Sequence, residues 1–154
     1  MPAPAVAVIA LVFIERGDFE CALITLLSED GYLRESDWAT VSTQDVSVRW
    51  TPDHAIPDVG MNLGTGARGL STKTGSDQGI TVDAPLLCLW LACLLELLPM
   101  GSPLVLLTAT IFRKFWWQVL ELKGIEFLGP PHGLRHSRPS GEVYASTRSL
   151  EGIR

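Results

Sequence analysis

APLLCLWLACLLELLPMGSPLVLLTATIF, residues 84–112, is the longest nearly uncharged run of the chain, and its reading decides the fold. It is either a buried helix that turns into a buried strand or a membrane segment. A spanning helix needs about 20 consecutive apolar residues. Here Glu96 interrupts the run after twelve residues, and Pro99 and Pro103 follow. Proline removes a backbone donor and clashes with the preceding turn, which disfavours one straight helix through this point. The first half then reads as a helix with Asp83 as N-cap and Pro85 in the first turn. Leu87, Trp90, Leu91, Leu94 and Leu98 recur at three- and four-residue spacing, so this helix is expected to be almost wholly buried. Pro99 and Gly101 stop it, and Leu104–Thr110 is expected as an interior strand. Arg113 and Lys114 follow the second half, which leaves a membrane-associated helical hairpin as a lesser alternative.

Toward the N-terminus, Val6–Glu15 is rich in Val, Ile and Phe and lies between Pro4 and Gly17, the pattern of a buried strand. AVAVIALVFI has the apolarity of a signal sequence, but no Lys or Arg precedes it, so a strand is the better reading. Arg16-Gly17-Asp18 supplies a turn, and Phe19–Leu27 is a second run of strand length, giving an expected hairpin. Trp38–Trp50 alternates in part and suits a third strand or strand pair. Residues 51–81 hold two prolines and six glycines and read as a long flexible loop. The GxGxxG spacing at Gly64–Gly69 carries little weight there. No strand leads into it and no helix follows, as a dinucleotide fingerprint requires.

Toward the C-terminus, Arg113–Leu122 is expected to be helical, Ile125–Leu128 a short strand, Gly129–Pro139 a proline-rich loop and Glu142–Gly152 a last helix. The length fits one domain, residues 1–154. Residues 1–112 carry five basic and thirteen acidic side chains, a balance of −8, while residues 113–154 carry seven and four, a balance of +3. The basic third is a candidate surface for a partner. A protein that binds nucleic acid mainly through phosphates is normally more basic than this. Cys21, Cys88 and Cys93 sit in apolar runs without metal-ligand spacing, as small hydrophobes of a reducing, intracellular compartment do, cytoplasm or nucleus. His132 and His136 are four apart but lie among prolines, with no acid or thiol to complete a metal set.

The expected order, β-β-β-α-β-α-β-α in a mixed α/β sheet flanked by helices, resembles the ribonuclease H-like fold of retroviral RNase H domains, integrases and resolvases. Members commonly show an Ala-Glu-Leu-x-Ala-Leu helix and then an apolar strand ending Thr-Asp-Ser. Ala84-Pro85-Leu86-Leu87-Cys88-Leu89 followed by Leu106-Leu107-Thr108-Ala109-Thr110 looks like a worn copy. Ile125-Glu126-Phe127 before His132, and Gly141-Glu142-Val143-Tyr144-Ala145, are similar to the fifth strand and the start of the last helix.

Such enzymes hold two divalent cations with four carboxylates. Carried over, the resemblance puts these positions at Glu15, Pro85, Ala109 and Ala145, so at most one carboxylate survives. It therefore implies a catalytically inactive scaffold or interaction module, derived from a retroelement, with no cofactor and no metal. A protein partner is expected first and nucleic acid second, through Arg113, Lys114, Trp116, Trp117, Arg135 and Arg138. No membrane contact is expected. The alternative is a divergent nuclease with a rearranged acidic site of Glu15, Asp18, Asp83 and Glu142.

Overall fold

The structure, a computed structural model, describes residues 2–64, 66, 69, 70 and 78–136. Its elements are α1 (Ala3–Glu15), α2 (Phe19–Asp30), α3 (Glu35–Trp38), β1 (Val46–Arg49), β2 (Asp58–Leu63), β3 (Gln78–Val82), α4 (Pro85–Leu97) and α5 (Ala109–Lys123). Short 3-10 turns lie at Thr43–Asp45, Glu126–Leu128 and Pro131–His136. The protein is mixed α/β, and the strands form one three-stranded antiparallel sheet in the order β1-β2-β3.

Val6–Glu15 and Phe19–Leu27 are helices, not the expected strands. In α1 the buried positions include Val6, Ile9, Ala10 and Phe13, spaced i, i+3, i+4, i+7, while Val8 and Leu11 face outward. The helical period is carried by burial and not by composition, because the exposed side chains are apolar too. Pro4 sits in the first turn, where no donor is needed. The expected turn at Arg16-Gly17-Asp18 does exist, but it joins two helices. Gly17 takes a left-handed φ of 80°, and the Asp18 amide donates to the Phe13 carbonyl at 2.8 Å, closing α1 in a Schellman arrangement.

The sheet lies further along the chain than expected. β1 is the end of the predicted third strand, and residues 51–81, read as loop, contain β2 and most of β3. Val48 pairs with Val59, which pairs with Val82, and Val46 pairs with Met61, which pairs with Ile80. These residues share one face of the pleat. Ser47, Gly60 and Thr81 share the other, polar face. Gly60 is confined by its neighbour: a Cβ there would lie 3.1 Å from the Ser47 hydroxyl oxygen.

Leu104–Thr110 is not a strand. Beyond a single bridge between Ser42 and Pro103, and the Leu104 amide donating to the Val41 carbonyl at 3.1 Å, it has no ladder. Its last residues open α5 instead: Thr108 is the N-cap, its hydroxyl accepting from the Ile111 amide at 3.3 Å. Ile125–Leu128 is likewise not a strand, since a 3-10 turn covers Glu126–Leu128. α4 matches its expected extent, but Ala84 rather than Asp83 is the N-cap, with no side-chain cap. Nor is α4 wholly buried. Leu87, Cys88, Leu91 and Ala92 face inward, and Leu86, Leu89 and Leu97 are exposed. The expected last helix, Glu142–Gly152, lies outside the described residues.

The chain divides into two compact units. One consists of the described parts of Met1–Arg34 and Leu107–Arg154. Its core joins Ile9, Phe13, Ile24 and Leu27 of α1 and α2 to Phe112, Trp116 and Leu120 of α5, with the Phe13 and Phe112 ring centroids 6.4 Å apart. The other is Glu35–Leu106, in which the apolar sheet face and α4 bury Val59, Met61, Val82, Leu87 and Leu91 together with Trp38. Asp45 accepts from both the backbone amide and the hydroxyl of Ser42, at 2.8 and 2.9 Å, which fixes the chain entering β1. Among the described residues, no helix is long and apolar enough to cross a membrane.

Candidate functional site

The described positions that the RNase H resemblance singles out fall on three different helices. Glu15 is the exposed last residue of α1, Pro85 the first residue of α4 and Ala109 the first of α5. Pro85 belongs to the Glu35–Leu106 unit, and Glu15 and Ala109 to the other. Ala145 lies outside the described residues. Of the alternative acidic set, Asp18 accepts from the Arg16 guanidinium at 2.9 Å, Asp83 is an exposed residue of the other unit, and Glu142 lies outside the described residues. Among the described residues, no group of three or more His, Cys, Asp and Glu converges on one point. His132 is exposed within the turn Pro131–His136.

The expected contact surface divides along α5. Adjacent residues on a helix point about 100° apart, so Trp116 and Trp117 have opposite fates. Trp116 is 0% exposed, packs against Phe112 with ring centroids 6.0 Å apart, and donates from its indole nitrogen to the Gly129 carbonyl at 3.0 Å. It is a core residue and leaves the contact set. Trp117 is 43% exposed. Arg113 and Lys114, four and three residues before it, are exposed on the same face. Arg113 also reaches back to the Ala109 carbonyl at 3.3 Å, which lays its stem along the helix. The side chain of Arg135 and the whole of Arg138 lie outside the described residues.

Sequence reasoning missed a second surface. Between β1 and α4 runs a groove of about 350 Å³, lined by Val48, Trp50, Leu89, Ala92, Cys93 and Glu96. Trp50 is 58% exposed. The signal was present: Leu89, Cys93 and Glu96 follow at i, i+4, i+7 on α4, and Trp50 closes an alternating segment. Only the pairing of β1 in a sheet under α4 brings them together. On the polar sheet face a shallower depression of about 400 Å³ includes Ser47, Gly60, Gly79 and Thr81.

The thiols differ in environment. Burial, reinforced by the carboxylates of Asp18 and Glu20, pushes the Cys21 thiol up to about 12. Cys88 is buried and its thiol donates to the Val82 carbonyl at 3.2 Å. Cys93 is exposed.

No protein family, curated protein or solved structure matches this chain.

Proposed function

We propose that this protein is a non-enzymatic interaction module that binds a protein partner through the outward face of α5. One observation carries this reading: Trp117 stands 43% exposed beside Arg113 and Lys114 on one helical face. Tryptophan and arginine dominate the energetics of protein interfaces, because both bury a large area with a defined polar contact. The exposed indole keeps apolar area in water, and a partner that covers it removes that area. Phe127, 82% exposed in the turn after α5, adds apolar area to the same unit. The three cysteines form no disulfide, which supports an intracellular site of action. The described order, three helices, three antiparallel strands and two helices, lends no support to the RNase H-like resemblance. Surface chemistry alone supports the present reading.

The test is affinity capture by the folded protein compared with its Trp117→Ala and Arg113→Ala variants. A specific protein partner is expected to be retained by the parent protein after nuclease treatment. Retention is expected to fall about tenfold or more in Trp117→Ala. Equal capture by the parent protein and both variants would count against the assignment. So would capture that disappears with nuclease or moderate salt, which would identify a nucleic-acid contact instead.

A further inference from the structure

We propose that the groove between β1 and α4 is a binding site for a small organic cation, a substituted ammonium carried on an apolar body. The groove arises from a mismatch of widths. A helix with its side chains is about 10 Å across, and strands lie about 4.8 Å apart, so a single helix covers about two strands of a sheet. α4 sits over the middle of the sheet, where Val59 and Met61 of β2 are buried, and the Cys88 thiol reaches the Val82 carbonyl of β3. Toward the edges the cover thins: Val48 of β1 and Ile80 of β3 are half-buried, and Trp50, the residue after β1, is open to solvent.

What remains is a cleft with the dimensions of a small-ligand site, for which about 300–1,000 Å³ is usual. Its lining is apolar apart from the Cys93 thiol and one charged side chain, Glu96. That combination selects its occupant. An anion is repelled by the carboxylate. A neutral apolar molecule leaves the carboxylate partly desolvated with no counter-charge. A small inorganic cation would have to shed its water against Val48, Leu89 and Ala92. An alkylated ammonium is already weakly hydrated, can lie over the face of the Trp50 indole, and is neutralised by Glu96 while its apolar body fills the cleft. The net charge of −8 over residues 1–112 favours the approach of such a cation.

Cys93 provides a direct readout. It is exposed while Cys21 and Cys88 are buried, so a thiol reagent acting on the folded protein reports the groove. Benzyltrimethylammonium is expected to slow Cys93 modification with a saturable concentration dependence. Neutral benzyl alcohol and anionic phenylacetate are expected not to do so over the same range. Trp50→Ala and Glu96→Gln, both at exposed positions, are expected to leave the circular dichroism unchanged. Each should raise the half-protecting concentration about threefold or more. Equal protection by benzyl alcohol would overturn the proposal in favour of an unselective apolar groove. Absence of saturable protection, or an unaltered response in Glu96→Gln, would overturn it outright. Protection by a lysine-containing peptide but not by benzyltrimethylammonium would also overturn it, and would mark the groove as a protein contact.

Discussion

Cys21 shows how tertiary placement changes one residue's chemistry. In sequence it is a small hydrophobe inside an apolar run. In the structure it is fully buried on α2, and its thiol is pushed from 9.0 to about 12, first by burial and then by Asp18 and Glu20, with Arg16 opposing. The unfolded chain releases this proton near the ordinary thiol value, and the folded chain keeps it. Stability associated with Cys21 is therefore intact below about pH 9 and is lost as pH rises toward about 12. Urea unfolding of the parent protein is expected to show falling stability over that window, with a shallower fall in Cys21→Ala. Parallel pH profiles for the two would refute this. At the same scale, Trp116 and Trp117 could not be separated by type or spacing alone. The buried Phe112 ring and the Gly129 carbonyl assign one to the core, and exposure assigns the other to the surface.

At the scale of elements, the sequence located boundaries better than it identified types. Gly17, Pro99, Gly101 and Gly124 all end or begin something. Gly124, at a φ of 64°, closes α5 as expected of a glycine there. The runs between these markers were harder to read. Val6–Glu15 is apolar on every side, so neither a period of two nor one of 3.6 is visible in it. Asp58–Leu63 alternates strictly, with Val59, Met61 and Leu63 buried, but the prolines and glycines around it give the stretch the composition of a loop. Thr108 illustrates competition between elements: β-branched residues at the end of an apolar run suggest a strand, yet its hydroxyl caps α5. Thr108→Ala is expected to cost about 1 kcal/mol in urea unfolding, and Thr108→Ser to retain most of it. Equal losses in the two variants would show that the cap contributes nothing.

For the molecule as a whole, the division into two compact units makes a claim about cooperativity. Phe13 is buried against Phe112 in one unit and Leu91 against the sheet in the other. Phe13→Ala and Leu91→Ala are each expected to remove about 3–4 kcal/mol. Hydrogen exchange should localise the damage: lost protection in α1, α2 and α5 for the first, and within Glu35–Leu106 for the second. Uniform loss across the chain in both variants would mean that the units unfold as one.

The α/β character, the helix at Pro85–Leu97, the helical character of Arg113–Leu122 and the turn at Arg16-Gly17-Asp18 were determined by the sequence itself. Proline, glycine and amphipathic spacing act through local sterics, which need no knowledge of the rest of the chain. Whether the first two apolar runs became helices or strands was decided only in the tertiary structure. So were the pairing of strands inside a glycine-rich stretch and the opening of a groove beside Trp50. Uniformly apolar segments satisfy either conformation locally, and the choice falls to whichever surface is there to bury them.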